Sequence, residues 1–256
     1  MRFKLTLSVD KHAFGSRLPF DYFYECSAAI YRILSRSDAA FSAWLHDNGF
    51  RLESGRPFKL FTFSRLQIPQ YRVEGNCIHI LSDTVDWFIS FLPERSTQEF
   101  IQGVFREQTF ELGLRNVNVR FRVQQIEVLP PPSFTQSMDF ETLSPVCISR
   151  YRNGKVDYLN PTDPEAAQSI RNNLLNKYKA FSGKDFPADF DFEFTVLSQP
   201  KSVLITIKSG TPQQTRIRGF MCRFRVTAPV ELMKILYEAG VGEKGSMGFG
   251  MVRKKT

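Results

Sequence analysis

The chain is short of the residues that build metal sites and disulfide frameworks. Its 256 residues include four cysteines and three histidines. Cys26, Cys77, Cys147 and Cys222 lie too far apart for a Cys-x-x-Cys pair or a short disulfide framework. A reducing cytoplasm, no structural zinc and no cofactor are the expectation. Long hydrophobic runs are also missing. No stretch approaches the roughly 18 to 20 apolar residues that span a bilayer, so no membrane partner is expected. At the start, Arg2, Lys4, Thr6 and Ser8 alternate with Phe3, Leu5, Leu7 and Val9, which predicts a strand rather than a signal peptide. Acidic residues are the minority: 26 Asp and Glu against 34 Lys and Arg leave a net charge of +8. That balance points first to nucleic acid, although many soluble proteins carry such an excess on a solvated face.

What is abundant is apolar and aromatic. With 42% hydrophobic residues, the chain can bury substantial cores and is long enough for two small domains. The 25 phenylalanines recur singly at alternating positions, the pattern of several amphipathic strands, and most are expected in the core. Pro130-Pro131-Pro132-Ser133 forbids helix and regular ladder pairing and divides the chain almost in half. Before it, the pattern predicts a strand over 2–9, helices over 20–34 and 38–46, strands over 59–66 and 77–81, a helix over 97–112 and a strand over 117–128. The short helix ends at Asn48-Gly49. After the linker come a strand over 142–151, a turn at Asn153-Gly154, and a helix opened by Thr162-Asp163-Pro164-Glu165 and continued to Phe181. Strands over 190–197, 202–208 and 215–226, a helix over 230–239 and a strand over 247–253 complete it. Setting aside the extra helix and one spare strand, each half reads βαββαβ. The expected fold is α+β, two tandem ferredoxin-like domains over 1–129 and 138–256.

Along 215–226, Arg216 and Arg218 share one strand face and Arg223 and Arg225 another. The charged and the apolar sets both change parity at Gly219, so one bulged residue there would gather four arginines on one side. Such a ridge suits phosphate oxygens; it is equally what a solvated strand face requires.

The tail carries Gly240-Val241-Gly242-Glu243-Lys244-Gly245-Ser246-Met247-Gly248-Phe249-Gly250. Dense glycine permits positive φ and close approach of a polyanion to backbone N–H groups, or else serves tight packing alone. A nucleoside-triphosphate loop needs Gly-x-x-x-x-Gly-Lys-Ser/Thr between a strand and a helix. Here the glycines follow a helix and precede a strand, which argues against such a site and against a dinucleotide fingerprint.

The spacing Gly240-x-Gly242, five residues, Gly248-x-Gly250 at the close of the second half resembles the signature of the CRISPR-associated RAMP-superfamily endoribonuclease that cuts repeat RNA into guide RNAs. Met1-Arg2-Phe3, Ile30-Tyr31, Trp44-Leu45-His46, Lys59-Leu60-Phe61-Thr62-Phe63-Ser64 and Thr142-Leu143-Ser144-Pro145-Val146 are similar to the same family, so the likeness runs over nearly the whole chain. It implies a metal-independent cut in which the 2′-hydroxyl attacks and leaves 2′,3′-cyclic phosphate and 5′-hydroxyl ends. The implied partners are CRISPR repeat RNA and other CRISPR effector subunits, with monomer and homodimer both open; a non-cleaving RNA-binding subunit of the superfamily is the alternative.

By that resemblance His46 is the general acid or base, Tyr31 orients or helps deprotonate the 2′-hydroxyl, and Lys59 stabilises charge. Histidine suits proton transfer near neutrality. The stretch 47–58 is longer than is usual in the family, which leaves Arg51 or Arg56 as substitutes for Lys59. Gly242, Lys244, Gly245, Gly248 and Gly250 are expected to position the RNA backbone together with Arg216, Arg218, Arg223 and Arg225. Each catalytic choice has a plainer alternative: His46 a helix end, Tyr31 an apolar face, Lys59 a strand-edge charge.

Overall fold

In the computed structural model, the residues described are 1–55, 57–114, 117–152 and 154–255. The turn residue Asn153 and the alternative cation Arg56 lie outside them.

The alternation of Phe3, Leu5, Leu7 and Val9 makes the strand Arg2–Asp10, which buries all four side chains. It lies at the centre of an antiparallel sheet ordered Phe61–Phe63, Thr84–Phe91, Arg2–Asp10, Val117–Leu129, Thr109–Leu114. Helices Phe23–Ser37 and Glu94–Arg106 pack against each other. Phe100 meets Phe3 and Phe91 of the sheet, with ring centroids 6.2 and 5.2 Å apart. The two helices approach so closely at Gly103 that a Cβ there would lie 1.9 Å from the Ile33 carbonyl oxygen.

The second half repeats this order in smaller form: Glu193–Val196, Arg223–Thr227, Ser137–Thr142, Val252–Lys254. Helices Ala166–Ser182 and Val230–Ala239 pack together. Setting aside the short helix Ala39–Asp47 and the edge strand Thr109–Leu114 of the first half, the chain in both halves runs strand, helix, strand, strand, helix, strand through the main sheet, and those four strands stand second, third, first, fourth. Two hairpins are added to the second half, Ser149–Arg152 with Lys155–Tyr158 and Lys201–Ile207 with Thr215–Met221.

Several expectations are corrected. Residues 77–81 do not supply the third main strand; Cys77–Ile80 joins Arg17–Pro19 and Tyr71–Glu74 in a separate small sheet. The third strand is Thr84–Phe91, whose Val85, Trp87, Ile89 and Phe91 alternate into the core. The helix expected over 97–112 spans Glu94–Arg106, because from Thr109 the apolar period changes to two, with Phe110 and Leu112 buried in an edge strand. Residues 142–151 divide between the strand Ser137–Thr142 and the first hairpin. The helix expected from Thr162-Asp163 begins at Ala166, since Asp163 turns back to accept the Asn160 N–H at 2.7 Å. The last strand is confined to Val252–Lys254, because Gly245–Met247 forms a 3₁₀ turn.

Residues 215–226 are two strands on two sheets. Pairing runs without a shift through Val203 opposite Gly219, so no bulge lies there, and the chain changes sheet at Cys222. Gly219 instead permits close approach: a Cβ would stand 2.7 Å from Pro145 Cβ. Phe249, between two loop glycines, is fully buried, its ring edge to face with that of Phe23 at 5.9 Å, so it packs in the core and is not open to a base. Among the described residues no helix is long and apolar enough to cross a membrane.

Gly248 has φ +85°, and a Cβ would meet the Phe63 ring at 2.4 Å. Gly248→Ala is expected to cost about 2–5 kcal/mol from backbone strain and overpacking together. Urea unfolding checks this; an unchanged midpoint would show that the loop is not wedged.

Candidate active site

Asp38 joins two helices by ending one and capping the other. Its N–H donates to the Leu34 carbonyl at 2.9 Å, and its Oδ1 accepts the Phe41 N–H at 2.9 Å. Helix Ala39–Asp47 therefore folds back beside Phe23–Ser37, and Ser42 Oγ donates to the Tyr31 carbonyl at 2.9 Å. This brings His46, in the last turn, over Tyr31: the rings meet edge to face at 5.0 Å and 82°. His46 is 66% exposed, and its Nδ1 lies 2.8 Å from Asp47 Oδ1.

The carbonyls that end the short helix are taken up by cations, which also match the negative end of its dipole. Lys59 Nζ donates to the His46 carbonyl at 2.6 Å. Arg51 Nη2 donates to the Asp47 carbonyl at 3.1 Å and to Asn48 Oδ1 at 2.9 Å. Burial, then the charge of Arg51, push the Lys59 ammonium pKa down, against the opposing pull of Asp47.

The glycine loop closes the other side. Ser246 lies beside the Tyr31 hydroxyl. Burial raises that phenol well above its ordinary range, with Ser246 opposing, so Tyr31 is a neutral hydroxyl near pH 7. A cavity of about 150 Å³ is lined by Lys59, Phe61, Lys177, Lys244, Gly245 and Ser246, among others. Tyr31 touches two of its walls, Ser246 and, ring to ring at 5.7 Å, Phe61.

Of the residues expected from sequence, the fold unites Tyr31, His46, Lys59, Gly242, Lys244 and Gly245; Gly242 lines the cavity although it is buried. Gly248 and Gly250 are buried and shape the loop from within. None of the four arginines lines the cavity. Arg216 and Arg218 are exposed on the second hairpin, where Arg218 donates to Ser202 Oγ at 2.7 Å. Arg223 and Arg225 are exposed on the main sheet, with Arg225 held by Asp139 at 2.6 Å.

Sequence reasoning missed Ser246 and Lys177. Ser246 was visible as a hydroxyl within the glycine run. Lys177 had no such signal, since it occupies a helical stripe that reads as ordinary. Its buried ammonium donates to the carbonyls of Ala239, Gly240 and Gly242 at 3.2, 2.6 and 2.9 Å.

Two family models match this chain: "CRISPR-associated protein Cas6, N-terminal" over residues 17–127, and "CRISPR associated protein Cas6, C-terminal" over 129–254. The chain belongs to the Cas6 family. A Cas6 relative named "CRISPR-associated endoribonuclease Cas6 1", from Methanocaldococcus jannaschii, is 29% identical across 98% of this chain and 92% of its own length. The solved structure of a Cas6-related protein from Pyrococcus furiosus superimposes with TM-score 0.82 at 26% identity, covering 100% of this chain and 98% of that one. Another, described as a RAMP protein binding different RNA substrates, gives TM-score 0.81 at 27% identity with both chains covered in full.

Replacing Lys177 by Met strands three loop carbonyls. The expected loss is about 2–4 kcal/mol, with faster amide exchange at Gly242, Gly248 and Gly250. Unchanged exchange at these glycines would remove Lys177 as the clamp.

Proposed function

We propose that this Cas6 chain is a metal-independent endoribonuclease that cuts CRISPR repeat RNA, built from two ferredoxin-like domains over 1–129 and 138–256. The observation that carries this is the meeting of His46 with Tyr31 and Lys59, next to a cavity between the halves that Lys59 and Ser246 line. It is a cytoplasmic protein in this reading, working with other CRISPR effector subunits.

The reaction needs a proton removed from the ribose 2′-hydroxyl, stabilisation of charge on the phosphorane, and a proton delivered to the departing 5′-oxygen. The O2′ atom bonds to phosphorus as the P–O5′ bond breaks, leaving a 2′,3′-cyclic phosphate and a 5′-hydroxyl. His46 moves the proton. With Nδ1 held at Asp47, Nε2 is the nitrogen that meets the substrate. Tyr31, neutral near pH 7, orients the 2′-hydroxyl rather than deprotonating it. Lys59 fixes the backbone of His46 and adds positive charge beside the phosphate, while Lys244 and the adjoining Gly245 meet the RNA backbone from the loop. Both cations are engaged at the helix end, but Lys59 lines the cavity and Arg51 does not, which favours Lys59 for the charge-stabilising role. Gly242, Gly248 and Gly250 serve RNA binding by giving the loop its shape. Arg216, Arg218 and Arg223 extend the phosphate-contacting surface, and Arg225 contributes less because Asp139 already holds it.

The likeness to a RAMP protein described by its binding of RNA substrates favours a second reading, an RNA-binding subunit that does not cut. One assay divides the two. Repeat RNA incubated with the protein in EDTA is expected to be cleaved, with cyclic phosphate ends. His46→Ala is expected to slow cleavage by about 10²- to 10⁴-fold, and Tyr31→Phe by roughly tenfold or less. A requirement for added metal rejects the mechanism, unchanged cutting by His46→Ala removes the proton carrier, and binding without cutting supports the second reading.

A further inference from the structure

The hairpin Ser149–Arg152 with Lys155–Tyr158 takes no part in the chemistry above, and its two faces differ sharply. Ser149 pairs with Tyr158, Arg150 with Asp157, Tyr151 with Val156 and Arg152 with Lys155. Alternation therefore puts Tyr151, Val156 and Tyr158 on one face and Arg150, Arg152 and Lys155 on the other. Tyr151 is 76% exposed and Val156 54%. At the root of the same face, Tyr158 packs on the larger core, and its hydroxyl donates to the Arg216 carbonyl at 3.4 Å.

This aromatic face is anchored to the glycine loop. Ser149 Oγ donates to the Glu243 carboxylate, and the Glu243 N–H donates to the Cys147 carbonyl at 2.8 Å. On the opposite face Arg150 is held by Asp157 and Glu165. Arg152 and Lys155 have no ion-pair partner among the described residues.

We infer that this hairpin is a base-stacking platform for an unpaired stretch of the bound RNA, an inference that rests on the RNA-processing reading above. An exposed ring with cations at its back holds single strands because every base offers a π-face and the cations gather phosphates. Tyr151 receives a base, while Arg152 and Lys155 hold phosphates passing over the hairpin edge. The link from Ser149 to Glu243 sets the stacked segment at a fixed place relative to Lys244 and Ser246. A protein docked here would cover little apolar surface beyond Tyr151 and Val156, far less than a stable interface needs.

Repeat RNA carrying one 2-aminopurine at successive positions tests this, in the full chain with His46→Ala so that the RNA stays whole. One position is expected to be quenched on binding. Tyr151→Ala should relieve that quenching and weaken binding roughly 5- to 150-fold, the range expected for one stacked base, while Tyr151→Trp retains both. Arg152→Ala with Lys155→Ala should lower the slope of log affinity against log salt by about 0.7 per lost phosphate contact, and Tyr151→Ala should leave that slope unchanged. Equal affinity and equal quenching in Tyr151→Ala overturn the inference and leave the nuclease reading standing. A Tyr151→Ala variant that binds RNA normally but loses a protein partner makes the hairpin a docking surface and equally overturns it. Failure of the His46→Ala chain and of the unaltered chain to bind repeat RNA defeats both.

Discussion

The cleft depends on a close fit that side chains would prevent. At Gly242, Gly245, Gly248 and Gly250 a Cβ would fall 2.4 Å from the Cys147 carbonyl oxygen, 2.7 Å from that of Phe61, 2.4 Å from the Phe63 ring and 2.0 Å from the Val241 carbonyl oxygen. Two of these collisions are with the strand Phe61–Phe63 of the first half and two are within the second. The loop thus joins the sheets by backbone contact, and Thr62 Oγ1 completes the joint by donating to the Phe249 carbonyl at 2.9 Å. Positive φ at Gly242, Gly248 and Gly250 gives the same residues a second reason to be glycine. Only with the loop in this place does Ser246 reach Tyr31.

Such a joint exposes carbonyls to burial, and two long cations answer them. Lys177 takes those at the end of helix Val230–Ala239. Arg2 is 3% exposed, donates to the carbonyls of Val252 and Tyr237, and lies 3.6 Å above the Tyr237 ring. Burial lowers its pKa to about 10, partly offset by Tyr237 and Glu238, so it stays charged near neutrality. Part of the positive charge visible in composition is therefore structural. An inference from net charge to nucleic acid can rest only on the exposed cations, Lys244, Arg216 and Arg223 among them, and not on these two.

Legibility followed how local each signal was. The strand Arg2–Asp10 and the helix Val230–Ala239 were readable because their periodicity is set by one buried face. Thr84–Phe91 has a clean alternation too, but Asp86 and Ser90 disguise a central strand as a polar segment; Ser90 is fully buried all the same. The four arginines show the opposite error. Their alternation was real at each end, and the assumption of one continuous strand failed because pairing partners change at Cys222. Tyr31, His46 and Lys59 were proposed together from family likeness; no local pattern says that a capped turn at Asp38 brings the first two ring to ring. Lys177 shows the limit most plainly, since its partners lie more than 60 residues away.

The division of labour across the cleft has a physical consequence. Tyr31, His46 and Lys59 belong to the first half, whereas Ser246 beside Tyr31 and the cations Lys177 and Lys244, which line the cavity with Lys59, belong to the second. Neither half contains the whole constellation. Separation of the halves would hydrate Tyr31, remove the burial that keeps its pKa high, and release Lys59 from the same desolvation. The electrostatic state of Tyr31 and Lys59 is therefore a property of the joint, and a change at Gly245 or Gly248 can alter it without touching either residue. The same reasoning explains why the cations sit where they do: Lys59 and Arg51 satisfy the end of a helix first, and the positive charge that Lys59 presents to the cavity follows from that structural duty.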